Sequence, residues 1–200
     1  MQADITSKLG REAKGGAMQT FETQRLFIRP FTMEDVNGMY EEIYSPEAGV
    51  WGPHTREKVT DGVMMAMLMG RSPDDAPWAK RAVTLKDGTF IGQVRLSPSH
   101  NYFYRWEEEP APRYNELEVE LMFCFGKRWW GQSYAYEASQ AMIRYAFDDL
   151  NLQRLVNGTG DDNPRSIALH QRLSFRIFRA LPLAGHEYEG IVAVLNNDRH

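Results

Sequence analysis

The stretch from which the fold can be worked out is Arg128-Trp129-Trp130-Gly131-Gln132-Ser133-Tyr134-Ala135. A run typical of a strand precedes it at residues 118–125, and an amphipathic helix is predicted after it at 134–149. A short loop between a strand and a helix start leaves several backbone N–H groups unpaired and pointing one way, which suits an anion. Gly131 has no Cβ, so a phosphate could approach the backbone there. Such a loop is more often only a turn, so the surrounding sequence has to show whether it binds an anion.

Composition is that of a globular protein. The chain has 200 residues, of which 42% are hydrophobic and 25% charged, and this suits one domain. A net charge of −4 argues against a nucleic-acid partner, and the lack of an 18-residue apolar run argues against a membrane span. One cysteine fits a reducing compartment, so we expect a cytoplasmic protein. We expect residues 1–17 to form a flexible tail before a domain at 18–200.

The rest of the chain alternates between strand and helix patterns. The predicted elements are a strand at 25–29, helices from 32 and over 55–69, strands at 79–85, 89–96 and 116–125, a helix at 134–149, a strand at 152–159, a helix at 165–173, and strands at 175–181 and 187–195. Thr32 and Thr55 are expected N-caps, and Asp87-Gly88 favours a hairpin turn. This order predicts an α/β (α+β) domain with a mixed, mainly antiparallel sheet of about seven strands flanked by helices on both faces.

Five short motifs follow one another along the chain. They are Glu120-Leu121, Trp130-Gly131, Tyr134-Ala135 with Glu137-Ala138, Asn163-Pro164-Arg165-Ser166, and Leu173-Ser174-Phe175. Together they resemble the GNAT superfamily of acyl-CoA-dependent N-acyltransferases, and most of all the branch that includes ribosomal-protein N-terminal-alanine acetyltransferases. The resemblance covers about residues 20–195. It implies a single GNAT-like domain that moves an acetyl group from acetyl-CoA to a primary amine, on a small molecule or on a protein or peptide N-terminus.

The family's pyrophosphate loop reads Arg/Gln-x-x-Gly-x-Gly/Ala, and here it reads Arg128-x-x-Gly131-x-Ser133. The resemblance implies that eight residues offer backbone N–H groups to the CoA pyrophosphate. They are Arg128, Trp129, Trp130, Gly131, Gln132, Ser133, Tyr134 and Ala135. Ser133 departs from the pattern, and it would be strained by roughly 1–2 kcal/mol if its φ were positive. Ser174 raises the same question at the end of the 165–173 helix, where the family has glycine.

Three carboxylates, Glu116, Glu118 and Glu120, alternate along the strand and therefore share a face. An amine must lose a proton before it attacks a thioester, and a nearby carboxylate can take that proton. The resemblance places Glu120 beside the reaction centre, so we expect Glu120 as the base and Glu118 as its substitute or as an anchor for the amine. The alternative is a solvent-facing row. Crowded carboxylates raise one another's pKa, which suits a base.

The resemblance also implies a proton donor for the leaving CoA thiolate. Ser166 is the first candidate. His170 is the second, since it stands where many relatives have a tyrosine and its ordinary pKa lies near neutrality. A lone histidine is more often a packing residue. Asn163 would hold the pantetheine arm of CoA or order the turn, although asparagine at a helix entry is also an ordinary cap.

The strand before the loop is expected to contact the thioester end of CoA. Backbone groups of Met122, Phe123 and Cys124 would pair with the pantetheine amides and place an N–H at the thioester oxygen. We expect the Cys124 thiol to pack, because a covalent acyl-cysteine route needs an activated thiolate. The histidines show no metal-ligand spacing, so no metal is expected.

Two other functions are compatible with the sequence. A CoA-binding module or sensor without turnover would account for Ser133 and Ser174, and a nucleotide-binding domain ranks last because neither glycine-rich nucleotide motif is present. The acidic, aromatic loop at 102–109 could attract a cationic amine. Dimerisation is common in the branch that the chain resembles, so a homodimer is a further expectation.

Overall fold

The structure is a computed structural model that describes residues 18–99, 105–106, 118–181 and 190–198. The expected flexible tail at residues 1–17, most of the 102–109 loop and Glu116 lie outside the described residues. The expectations that concern them stay predictions.

The described residues form nine strands and four α-helices. The strands are β1 (Phe21–Glu22), β2 (Leu26–Pro30), β3 (Arg81–Leu85), β4 (Phe90–Ser99), β5 (Arg105–Trp106), β6 (Glu118–Phe125), β7 (Arg154–Gly160), β8 (Arg176–Leu181) and β9 (Gly190–Asn196). The helices are α1 (Asp35–Met39), α2 (Arg56–Met69), α3 (Tyr134–Arg144) and α4 (Pro164–Arg172). Of these strands, seven have five residues or more, which agrees with the predicted number. Both α1 and α3 continue as a π-helical turn, at Tyr40–Tyr44 and Tyr145–Asp149.

The strands form one sheet in the order β1-β2-β3-β4-β6-β7-β9-β8-β5. Neighbouring strands are antiparallel except for β6 and β7, which are parallel. Parallel neighbours need a crossover connection, and α3 supplies it between β6 and β7. The predicted mixed, mainly antiparallel sheet is therefore confirmed.

Both faces of the sheet are covered by helices, as predicted. On one face, Ala138 and Met142 of α3 pack with Val119 and Leu121 of β6 in the largest buried cluster. On the other face, residues of α1, its π-helical turn and α2 form a second cluster over β3, β4 and β6. Alanines at three- and four-residue spacing let α3 lie close to the sheet.

The two predicted helix caps have different outcomes. Thr55 caps α2 as expected, since its hydroxyl accepts the Lys58 N–H at 3.2 Å. Thr32 as an N-cap is wrong, because α1 begins at Asp35. The Asp35 carboxylate instead accepts the Thr32 N–H at 2.8 Å and a guanidinium bond from Arg29 at 2.7 Å, so it fastens the end of β2 to α1.

Candidate active site

The parallel strands β6 and β7 meet only briefly. Glu120 and Val156 are the one pair in register, whereas β4 pairs with β6 over its whole length. Beyond that pair, the Asn157 side chain bridges the strands, and its Nδ2 donates to the Leu121 carbonyl at 2.6 Å. A gap between the two strands therefore opens towards the C-terminal end of β6.

One edge of β6 faces this gap. Alternate residues of a strand direct their backbone groups to opposite sides, so Leu121, Phe123 and Phe125 share the gap side. The carbonyl of Phe125 accepts the Trp130 indole N–H at 2.8 Å, and the carbonyl of Leu121 accepts a hydrogen bond from the Asn157 side-chain amide. Phe123 lies between these two bridged positions.

The other two residues of the expected contact face the neighbouring strand. Met122 and Cys124 stand opposite Arg95 and Gln93 of β4, and their backbone groups belong to that ladder. The geometry therefore narrows the expected backbone contact with pantetheine from Met122, Phe123 and Cys124 to Phe123.

The loop after β6 presents free backbone donors. A 3₁₀ turn at Lys127–Trp129 is followed by residues 131–136, whose N–H groups donate to no acceptor among the described residues. The first helical bond of α3 runs from the Glu137 N–H to the Ser133 carbonyl at 3.0 Å. Gly131 has a φ of +75° and open space around it, so its conformation favours glycine there. This arrangement fits the predicted anion cradle over residues 131–135. The prediction is wrong for Trp129 and Trp130, because their N–H groups donate within the turn to the carbonyls of Gly126 and Lys127, at 2.9 and 3.1 Å.

Ser133 stands at the start of α3 in the left-handed conformation, with a φ of 64°. The strain that we expected for a positive φ therefore applies, at roughly 1–2 kcal/mol. Its hydroxyl oxygen accepts a bond from Arg172 Nη1 at 2.7 Å, which leaves the hydroxyl proton available to a ligand.

Three arginines outside the loop surround it. From α4, Arg172 lies 4.0 Å over the Tyr136 ring, and Arg165 lies 4.9 Å over the Trp130 ring. Arg25, before β2, donates to the Gln132 carbonyl at 3.0 Å. Sequence reasoning missed all three. Only the seven-residue spacing of Arg165 and Arg172, which places both on one helix face, could have indicated the pair.

A buried carboxylate anchors the other end of the loop. Glu42 in the π-helical turn after α1 accepts the Trp129 indole N–H at 3.1 Å and forms an ion pair with Arg128. Gly126 permits this approach, since a Cβ there would lie 2.1 Å from the Glu42 carboxylate. The side chains of Arg128 and Trp129 thus hold the loop in place.

Glu120 lies at the closed end of the gap, with its carboxylate partly buried. Burial raises its pKa, against the smaller opposing effects of a hydrogen bond to the Gly158 backbone and of the Arg95 charge. A carboxylate with a raised pKa that is still partly accessible is a suitable proton acceptor.

Glu118, two residues earlier on the same face, has a different environment. It is 6% exposed, and its carboxylate is paired with both sides of the Arg154 guanidinium, with Arg154 Nε at 2.8 Å from Oε2. Because both carboxylate oxygens are engaged, Glu118 is less available as a base than Glu120.

Helix α4 brings the predicted proton donors to the gap. Asn163 caps the helix, its side-chain oxygen accepting the Ser166 N–H at 3.2 Å. His170 is fully buried beside the Phe123 ring, and burial lowers its pKa to about 4. Its Nδ1 lies 2.8 Å from the Ser166 carbonyl, so Nδ1 carries the hydrogen. His170 is therefore neutral at pH 7 and its one proton is bonded to a carbonyl, so Ser166 stays the first candidate for the donor.

Ser174 shows how α4 ends. It has a φ of 68°, its N–H donates to the Gln171 carbonyl at 3.0 Å, and the Phe175 N–H donates to the His170 carbonyl at 2.9 Å. This is the hydrogen-bond pattern of a Schellman motif with a left-handed residue. Ser174 therefore forms the same helix end that glycine would form, and its positive φ strains the backbone.

A comparison with known protein families assigns the chain that carries this site to a family. Residues 25–176 match the acetyltransferase (GNAT) domain. The chain belongs to the GNAT acetyltransferase family. The matched part contains the gap, the loop and α4, so the family assignment and the geometry concern the same residues.

Relatives of this GNAT protein are similar to it in sequence or in fold over most of its length. It is 26% identical to the uncharacterized N-acetyltransferase YnaD of Bacillus subtilis over 155 residues, which are 77% of this chain and 81% of YnaD. A solved acetyltransferase from Agrobacterium tumefaciens is 25% identical, with a TM-score of 0.67 over 94% of this chain and 100% of that one. A ribosomal-protein-S5-alanine acetyltransferase from Vibrio fischeri shares the fold at 16% identity, with a TM-score of 0.63 over 90% and 97%.

Cys124 is a packing residue of this GNAT fold. It is buried among Phe31, Ile43 and Phe90, and burial raises its pKa to about 12. The thiol is therefore protonated at neutral pH, which gives no support to a covalent acyl-cysteine route. In the described part of the chain, no three His, Cys, Asp or Glu side chains are arranged to hold a metal ion, and no helix could cross a membrane.

Proposed function

We propose that this protein is an N-acetyltransferase that moves an acetyl group from acetyl-CoA to a primary amine by direct attack. The acceptor is a small molecule or the N-terminus of a protein or peptide. The observation that carries the proposal is the position of Glu120, a partly buried carboxylate with a raised pKa, at the closed end of a gap whose other end meets the free N–H groups of residues 131–136.

The gap and loop fit CoA, which supplies an activated acetyl thioester when it is bound. The N–H groups of residues 131–136 and the N-terminus of α3 would bind its pyrophosphate. Backbone groups of Phe123 would pair with the pantetheine amides between β6 and β7. Arg165 and Arg172 add positive charge beside the loop.

Proton transfers would use two further side chains. Glu120 would accept a proton from the amine nitrogen, directly or through water. Ser166 would supply a proton to the departing sulfur. His170 would support Ser166 by packing, because a neutral imidazole whose Nδ1–H is bonded to a carbonyl is a poor acid at pH 7.

The second candidate is a CoA-binding module or sensor without turnover, which the strained Ser133 and Ser174 favour. Release of free thiol from acetyl-CoA separates the two. We expect thiol release with an amine panel of peptides, polyamines and aminoglycosides, and its loss in Glu120→Gln. A melting temperature raised by CoA, without thiol release from any amine, would establish the second candidate instead.

A further inference from the structure

The sheet face that carries Glu120 is covered at one end and accessible at the other. Gln93 and Cys124 are buried beneath α1 and α2. Further along the same two strands, Arg95 and Met122 stand opposite each other and are partly exposed, as is Glu120 two residues beyond. An acceptor could therefore reach Glu120 over this end of the face.

Two cationic side chains border this accessible end. Arg95 lies on β4, in a position diagonal to Glu120, at a separation of roughly 7–8 Å. Lys80 comes directly before β3 and lies next to Arg95, because Arg81, which follows Lys80, is the register partner of Val94, which precedes Arg95. Arg95 Nε donates to the Trp78 carbonyl at 3.0 Å, which fixes the guanidinium beside Lys80.

Neither cation has a carboxylate partner in contact among the described residues. Glu118, the other glutamate of β6 on this face, is already paired with Arg154. Burial lowers the pKa of Lys80 and of Arg95, and the Arg95 charge lowers the pKa of Lys80 further. Lys80 and Arg95 thus place two positive, partly desolvated charges beside the one negative charge of Glu120. This imbalance favours the binding of a second anion.

We propose that Lys80 and Arg95 bind an anionic group of the acceptor, so the acceptor is an amine that carries a carboxylate a few bonds from its nitrogen. The inference rests on the proposed function and names its substrate class. The carboxylate would lie against the two cations while the nitrogen faces Glu120. A polyamine would bring further positive charge to the pair, so a polycation is disfavoured even though the acidic 102–109 sequence points towards one.

Matched acceptors that differ only in charge test this proposal. The probes are β-alanine against β-alaninamide, and the dipeptide amide Ala-Glu-NH₂ against Ala-Gln-NH₂, with spermidine as a polycation. We expect the carboxylate member of each pair to have a kcat/KM about tenfold higher or more, as the loss of a charge-assisted contact implies. Spermidine should be poorer than either carboxylate.

Two variants assign the preference to the pair. Lys80→Gln and Arg95→Gln should each reduce the ratio of kcat/KM for β-alanine to kcat/KM for β-alaninamide several-fold. Lys58→Gln, at an exposed position of α2, is the matched control and should keep the full preference. Lys80 lies outside β3, so Lys80→Gln decides the matter if Arg95→Gln fails to fold.

Calorimetric binding to the CoA-bound protein separates this inference from the proposed function. Carboxylate-dependent binding without any thiol release would overturn the proposed function and support the anion site. Thiol release with equal use of both members of each pair would overturn the anion site alone. A preference that persists in both Lys80→Gln and Arg95→Gln would overturn it as well.

Discussion

The indole of Trp129 donates a 3.1 Å hydrogen bond to the carboxylate of Glu42, and this contact joins the loop after β6 to the π-helical turn after α1. The same carboxylate pairs with Arg128. The two residues are 87 positions apart in the chain. The loop proposed to bind CoA is therefore positioned from the side of the sheet that carries α1 and α2, where the proposed acceptor would bind.

Removal of the Glu42 carboxylate should loosen the loop. We expect Glu42→Ala to lower the free energy of unfolding by about 1–3 kcal/mol, because it leaves the indole N–H of Trp129 without its partner. It should also weaken CoA binding measured by calorimetry. Glu41→Ala removes only an exposed pair with Arg56 and is the control. Unchanged CoA affinity in Glu42→Ala would show that the loop holds its shape without this contact.

The base can be tested by substitution and by pH. Glu120→Gln should lower turnover by about 10²-fold or more and leave CoA binding intact. Burial raises the pKa of Glu120, and a base must be deprotonated, so the wild-type rate should rise with pH through a value above that of an ordinary glutamate. Turnover that survives in Glu120→Gln would move the base to Glu118 or to a water chain.

Local patterns in the sequence account for most of the fold, because they report on neighbouring residues. The alternation before the loop, the alanine spacing of α3 and the Asn163 cap all depend on positions a few residues apart. The predicted cap at Thr32 failed because the Asp35 side chain accepts the Thr32 N–H and is held by the guanidinium of Arg29, six residues earlier, so α1 begins at Asp35.

The missed parts of the site depend on tertiary contacts. No local pattern indicates that Glu42 meets Trp129, or that the Arg154 guanidinium occupies the carboxylate of Glu118. The three glutamates alternate identically in the sequence. What separates Glu118 from Glu120 is the register of β6 with β7, which the sequence does not encode locally.

The two strained serines offer a test of backbone energetics. Ser174→Gly should stabilise the protein by about 1 kcal/mol, since glycine tolerates the observed φ of 68°. Ser133→Gly should stabilise it less, because it also removes the bond to Arg172. Urea unfolding measures both. A lower stability in Ser174→Gly would mean that the loss of chain entropy on folding outweighs the relief of strain.

His170 should make the stability depend on pH in acid. Burial lowers its pKa to about 4, below the unfolded value near 6.5, so the unfolded chain binds the proton more readily. The stability that this group contributes is present above pH 6.5 and is lost as the pH falls towards 4, by about 2–3 kcal/mol.

Urea unfolding of wild type and His170→Leu between pH 4.5 and 7.5 isolates this contribution. The leucine variant should be less stable at pH 7.5, because it loses the Nδ1 bond to the Ser166 carbonyl, and its stability should fall less steeply as the pH is lowered. His54→Asn, at the partly exposed histidine that stacks on Tyr44, is the control for the loss of one imidazole. An unchanged slope in His170→Leu would show that the imidazole is protonated as readily in the folded protein as in the unfolded chain.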